Sequence, residues 1–424
     1  MTAEIAILNK TGIALAADSA VTIGDGSKTY NTANKVFMLS KFHPVGVMIF
    51  GGAELSGCPW ETIIKIFRKD LGEKSFNTIR EYADSFISFI ENSKIISIEQ
   101  QNKYFGRYVV DFFRSIRDQI IGLIDSEIEN HGKIDEKSIK EIVSRVIDYF
   151  YNDWRDVPDL ESIETGYCEK LMVEKSETIE QIYSGIFQNI PMSANSRKRL
   201  KYIAVSIVCK DRHSPWHSGV VFAGYGNNEI YPNLCSLTVD GIFDDRLKYS
   251  IDKTSSIDDE NDATIIPFAQ DEMVKTFMEG MDPNYKSTAL GFISTVLEKL
   301  PKKFLENVKL HDEEDGAEIE KSMNELSLRI FESFRDEMRE YAQDKHIQPV
   351  MQAVSSLPKD ELAKVAESLV NITSFKRKVT LDVESVGGPI DVAVISKGDG
   401  FVWVKRKHYF SPELNHTFFA NYYK

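Results

Sequence analysis

The sequence predicts an α+β protein, a four-layer αββα sandwich of two sheets flanked by helices and enlarged by inserted helical regions. Two observations lead there. Strand-like runs come in groups separated by groups of helix-like runs, which argues against a parallel βαβ sheet. In addition, "GIALAA" near the start and "IDVAVI" near the end are apolar throughout rather than alternating, as in strands covered on both faces.

Taken in order, Ala3 to Leu8 reads as a first strand, Asn9-Lys10-Thr11-Gly12 supplies turn chemistry, and Ile13 to Ala17 returns as the second strand. Lys35 to Leu39 and Val45 to Phe50 follow as two short strands, ahead of the glycine pair Gly51-Gly52. The period then changes. Ile63, Ile64, Phe67 and Leu71 repeat at helical spacing, as do Val109, Phe112, Phe113, Ile116, Ile120 and Leu123, and a third helix spans Ile139 to Trp154. Strands are expected again at Tyr202 to Cys209, Gly219 to Gly224 and Glu229 to Asp240, with "VDGIF" as a hairpin tip and "DKTSSIDDENDA" as a polar loop. Helices at Tyr285 to Leu300 and Ile319 to Tyr341 precede a stripe of Leu362, Val365, Leu369 and Ile372. A last hairpin pairs "IDVAVIS" with "FVWVKR" around Lys397-Gly398-Asp399-Gly400. The expected organisation is one domain over residues 1–424, with core segments at about 2–75, 201–284 and 356–408. Helical insertions then fill 76–200 and 285–355, and 409–424 form a C-terminal tail.

Composition narrows the function. Lys and Arg total 51 against 65 Asp and Glu, a net charge of −14, which opposes a phosphate-tracking role and makes nucleic acid an unexpected partner. The four cysteines, Cys58, Cys168, Cys209 and Cys235, show no CxxC spacing and suggest neither a zinc knuckle nor a disulfide framework. No signal-peptide pattern and no span-length apolar run is visible, so a soluble, cytoplasmic protein with no membrane partner is expected. His213 and His217 stand four apart beside Pro215 without a third ligand, "DDENDA" lacks the glycine and terminal glutamate of a calcium loop, and "GDGSK" is not a phosphate loop. No metal or organic cofactor is expected.

Chemistry concentrates at the start. Thr2 follows Met1, and a small second residue permits removal of Met1, which would leave a threonine carrying both a hydroxyl and a free α-amine. That amine has an ordinary pKa of about 7.7–8.0, near enough to neutrality to act as base for its own hydroxyl. Asp18 closes the second strand and Lys35 opens the third. A lysine there could lower the amine's pKa and steady an oxyanion, and the aspartate could orient that lysine. Gly51 lets backbone approach a ligand and offers an N–H to an oxyanion.

Together, Thr2, "LAADSAVT", "NKVFML" and "VGVMIFGG", with the later "GVVFAGYG" and "SVGGPIDVAVISKGDGFVWV", resemble the N-terminal-nucleophile hydrolases of the proteasome β-subunit type. The resemblance spans about half the chain. It implies a threonine peptidase or amidohydrolase with Thr2 as nucleophile, tuned by Lys35 and Asp18, and with the Gly51 N–H on the oxyanion. It also implies a peptide or protein substrate, a homo-oligomer and an ATPase unfoldase partner. Departures are visible. Where the family carries a serine before a helix, "IIPFAQDEM" offers Ala269 and Gln270, and "LDVESVGG" places Val386 and Val383 at the serine and aspartate positions, with Ser385 and Asp382 one place away. A second reading of a different class is therefore open: an inactive scaffold or recognition protein that uses the helical insertions as its interface.

Overall fold

Residues 2–9 and 12–20 are all buried, and only Lys10 and Thr11 between them are exposed. Two apolar strands joined by a two-residue turn are thus covered on both faces. The computed structural model describes residues 2–23, 28–164, 166–307, 313–380 and 386–422. Met1, the Gly24 to Ser27 part of "GDGSK", and Asp382, Val383 and Ser385 lie outside the described residues.

The chain opens with β1 (Ala3–Asn9), β2 (Gly12–Ala17), β3 (Val21–Ile23), β4 (Lys28–Tyr30), β5 (Val36–Met38), β6 (Val45–Gly51), β7 (Glu54–Leu55) and β8 (Cys58–Pro59). Helices follow: α1 (Trp60–Leu71), α2 (Ile79–Ser93), α3 (Ile98–His131), α4 (Glu136–Arg155), α5 (Tyr167–Glu174), α6 (Ser176–Ile186) and α7 (Ala194–Cys209). Then come β9 (Ser218–Gly224), β10 (Asn233–Phe243), β11 (Arg246–Ser256) and β12 (Ala263–Ala269). The rest comprises α8 (Glu272–Glu279), α9 (Pro283–Glu306), α10 (Glu313–Ala342), α11 (Gln348–Ser355), α12 (Lys359–Val379), β13 (Asp391–Ser396), β14 (Gly400–Lys405) and α13 (His416–Tyr422). The described strand pairings are antiparallel, and the class is α+β. No helix among the described residues is long and apolar enough to cross a membrane.

Two compact units emerge: Met1–Val36 with Ile230–Pro232 and Ser256–Lys424, and Phe37–Glu229 with Asn233–Ser255. The first holds a sheet ordered β12-β1-β2-β13-β14. Alternate residues of its central strands, Ala3, Ile5, Ile7, Ala14, Ala16, Val392 and Val394, form one core with Leu362, Ala363, Ala366, Leu369 and Val370 of α12. The alanines on both sides let helix and sheet approach closely, and each fully buried Leu, Ile or Val contributes about 1.5–3 kcal/mol. Glu4, Ala6, Leu8, Ile13 and Leu15 point to the opposite face and are buried as well.

The second unit holds a sheet ordered β11-β10-β9-β6-β5 and two cores. One packs α1 and α2 on β6, β9 and β10 through Trp60, Phe67, Phe86 and Phe222. The other belongs to the helices, with Phe105, Val109, Phe113 and Ile116 of α3 against Val143 and Ile147 of α4 and Leu200, Ile203 and Ala204 of α7.

Three sequence expectations need correction. Tyr202 to Cys209 is helical, the last half of α7, whose Ser193 cap accepts from the Ser196 N–H at 3.0 Å. A continuous apolar run reads equally as strand or buried helix, and here the helix is buried at every residue from Ile203 to Cys209. "VDGIF" lies inside β10 and not at a tip: a Cβ at Gly241 would come within 2.6 Å of the Tyr104 ring, so the glycine makes room for α3. The turn is instead Asp244-Asp245, at φ 51° and 59°, the left-handed pair that a two-residue hairpin needs. Finally, the first residues of "DKTSSIDDENDA" continue β11 as far as Ser256.

Candidate active site

The register of the first sheet dictates which side chains meet. Glu4 pairs with Ala17, and Ala17 with Asp391, so these three form one row across β1, β2 and β13, on the face away from α12. The small Ala17 leaves space between two carboxylates. Thr2 precedes this row on β1, and Asp18 follows it on β2. Lys35 enters just ahead of β5, and Lys407 lies beyond β14.

Asp18 is the hub. Its Oδ1 accepts from Lys35 Nζ at 2.5 Å and the Ala3 N–H at 3.1 Å, and its Oδ2 from the N–H groups of Ala20 at 3.1 Å and Gly387 at 2.9 Å. Gly387, just ahead of β13, is therefore attached to the strand end, and the Ser19 N–H on the Gly387 carbonyl at 3.1 Å completes the attachment. Thr2, Asp18 and Lys35, three residues singled out in the sequence, are thus brought together and are only 4%, 1% and 3% exposed.

The sequence reading missed Glu4. Thr2 Oγ1 donates to Glu4 Oε2 at 3.0 Å, and Lys35 Nζ lies 3.2 Å from Glu4 Oε1 as an ion pair. Burial pushes the Glu4 carboxyl up to about 7; the Lys35 ammonium offsets part of that effect, and the Asp18 charge adds to it. Asp391 and Lys407 were missed as well. The Lys407 ammonium and N–H both bind Asp391, and burial pulls the lysine below its ordinary value. Glu4, Asp18 and Asp391 against Lys35 and Lys407 leave one anion in excess.

Ala269 and Gln270 do lie beside Thr2. Ala269 pairs with Ala3, the Gln270 N–H donates to the Thr2 carbonyl at 3.1 Å, and the Gln270 side chain accepts from Arg377 Nε at 2.8 Å. Val386 faces the α12 core and takes no part in the site. Gly51 belongs to the second unit, where φ of +71° and the His217 carbonyl, 2.5 Å from where a Cβ would be, already require glycine. Ala269 is strained for an alanine, with φ of +58°, and its methyl is exposed. We expect Ala269→Gly to raise stability by about 0.5–1 kcal/mol, read from the urea midpoint. A lower midpoint would show that the turn draws no strain from its side chain.

Comparisons with known proteins do not extend this picture. No family model matches the chain, and no curated protein does. Among solved structures, it is similar to an Anbu Gly-1 mutant from Hyphomicrobium sp. strain MC1, at 9% identity and TM-score 0.29 over 100% of this chain and 95% of that one. It is also similar to the helical assembly of the Anbu complex from Pseudomonas aeruginosa, at 8% and 0.28 over 99% and 93%. A third likeness is to Anbu (ancestral beta-subunit) from Yersinia bercovieri, at 9% and 0.27 over 99% and 94%. At such scores these likenesses carry no argument. The family assignment is corrected by the family models: none matches the chain, that of the proteasome β-subunit-type N-terminal-nucleophile hydrolases included. The chain is not placed in that family, and its chemistry rests on its own geometry.

Proposed function

We propose that this protein is a threonine hydrolase of peptide or other amide bonds, with Thr2 as nucleophile once Met1 is removed. One observation carries the reading: a buried threonine hydroxyl at the second position donates to a carboxylate whose pKa is about 7, beside a lysine held by a second carboxylate. Glu4 can accept the Oγ1 proton as the oxygen attacks, because a base that titrates near neutrality both takes and returns a proton readily. The freed α-amine shares that role. It also brings a positive charge to a cluster with one anion in excess. Lys35 supplies positive charge for the developing oxyanion, and Asp18 positions Lys35. An αββα arrangement belongs to this reading, supported by two antiparallel sheets that each pack against helices within their own unit. Peptide or protein substrates, an ATPase unfoldase and self-association belong to the same reading, the last with the exposed stripe Phe292, Val296, Leu300 and Phe304 of α9 as its surface.

Intact mass of the natively expressed protein, followed by labelling with an acylating β-lactone, tests this. Loss of Met1 and a single adduct that maps to Thr2 and vanishes in Thr2→Ala are expected. Retained Met1, or no adduct dependent on Thr2, would transfer the fold to the scaffold reading.

A further inference from the structure

The second unit holds a serine, a histidine and an aspartate that the Thr2 chemistry does not use. His213, in the loop after α7, places Nδ1 2.8 Å from Asp240 Oδ2 and Nε2 2.6 Å from Ser250 Oγ. With its proton on Nδ1 toward the carboxylate, the neutral ring leaves the Nε2 lone pair for the serine hydroxyl. The order from inside to outside is that of a relay. The Asp240 side chain has no exposure, that of His213 is 13% exposed, and Ser250 is partly open at the surface.

The carboxylate is firmly held. The Ser214 N–H donates to its Oδ1 at 2.9 Å, and Lys248 Nζ lies 3.0 Å from Oδ2. Burial alone would raise the Asp240 carboxyl, but the His213 hydrogen bond and the Lys248 charge outweigh it and hold it at about 2. Lys248 also donates to the carbonyls of Ile207 at 2.8 Å and Arg212 at 2.6 Å, which ties the loop carrying His213 to β11. Lys248 and Ser250, two apart on that strand, point to the same face, so the lysine that fixes the loop also fixes the serine's distance from it. Trp216, 69% exposed, follows His213 by three residues in the same loop and offers apolar surface to an acyl group.

The geometry points to a second nucleophilic centre in this protein, independent of Thr2, in which Ser250 cleaves carboxylic esters with an apolar acyl chain. Ser250 Oγ bonds to the acyl carbon as its proton passes to His213 Nε2. The ester C–O bond then breaks and the leaving alcohol takes that proton, giving an acyl-serine. Water next adds to the acyl carbon and gives a proton to Nε2; release of the carboxylic acid returns the proton to Oγ. Asp240 is a positioning residue throughout, holding the ring and its tautomer.

The test uses the full chain carrying Thr2→Ala, so that no adduct can come from Thr2, and a fluorophosphonate probe read by intact mass and peptide mapping. One adduct per chain on Ser250 is expected, lost in Ser250→Ala and formed at least ~100-fold more slowly in His213→Gln. Hydrolysis of p-nitrophenyl butyrate should fall in parallel. No adduct on Ser250 in the folded protein overturns the proposal, as does labelling at an unchanged rate in His213→Gln. If His213→Gln fails to fold, the parent protein decides alone, since an ordinary serine hydroxyl does not react with this probe.

Discussion

Replacing Asp18 with alanine is expected to cost about 3–5 kcal/mol of folding stability, the range for removing one partner of a buried ion pair. The figure follows from what is stranded. Asp18 is 1% exposed and is the closer of the two carboxylates on the Lys35 ammonium, which is itself buried. Without it, the N–H groups of Ala3, Ala20 and Gly387 lose their acceptor in a dry environment, where each unmet donor costs about 1–3 kcal/mol unless water enters. Those amides belong to β1, to the segment after β2 and to the loop before β13, so the loss is felt across three strands of one sheet. Asp18→Asn should cost less, because one carbonyl oxygen remains as an acceptor. Urea unfolding at neutral pH measures both variants. A loss below 1 kcal/mol for Asp18→Ala would mean that water replaces the carboxylate freely, and Asp18 would then be no hub. Labelling of Thr2 should fall with it, because Lys35 loses the partner that aims it.

What could be read in advance, and what could not, divides along physical lines. Thr2, Asp18 and Lys35 were legible because each breaks a local pattern: a hydroxyl at the second position, and charges at the ends of apolar strands. Glu4 breaks one too, as the single charge inside "AEIAIL", and a carboxylate in a strand apolar on both faces must have a cation nearby. That signal was present. Which cation it meets was not, because Lys35 is 31 residues away and the meeting depends on strand register. Asp391 and Lys407 are similar, joined to the site only by the pairing of β13 with β2. The strands of the first sheet were legible because their runs are short and bounded by turn residues. The error at Tyr202 to Cys209 arose because a helix buried on every side loses its periodicity. The cluster around His213 was hidden by the same kind of distance: a histidine four residues from another suggests a metal, whereas its partners Asp240 and Ser250 come from the neighbouring hairpin.

Glu4→Gln is expected to change both stability and reactivity, with opposite signs. In the chain that retains Met1, the Glu4 carboxyl titrates at about 7, against an ordinary value of 4.5. Between those two pH values the unfolded chain has released this proton and the folded chain still holds it, so stability falls as pH rises through the window and is level above it. A shift from 4.5 to about 7 corresponds to about 3 kcal/mol. Glutamine cannot ionise. The difference in unfolding free energy, variant minus parent, should therefore grow by about 3 kcal/mol from pH 4.5 to 7 in favour of the variant, while groups common to both cancel. A difference that does not vary with pH would show that Glu4 titrates normally and would remove it as a base. Reactivity should move the other way. An amide oxygen still accepts the Thr2 hydroxyl but cannot take its proton, and loss of a positioned base slows the step by about 10²–10⁴-fold. In the processed parent, acylation of Thr2 should rise with pH through an inflection below 7, because the added α-ammonium favours the carboxylate. In Glu4→Gln that inflection should be gone, leaving only the one set by the α-amine. A protein whose acylation profile keeps both inflections after the substitution would assign the base role to the α-amine alone, and Glu4 would be left as a hydrogen-bond acceptor that holds the threonine in place.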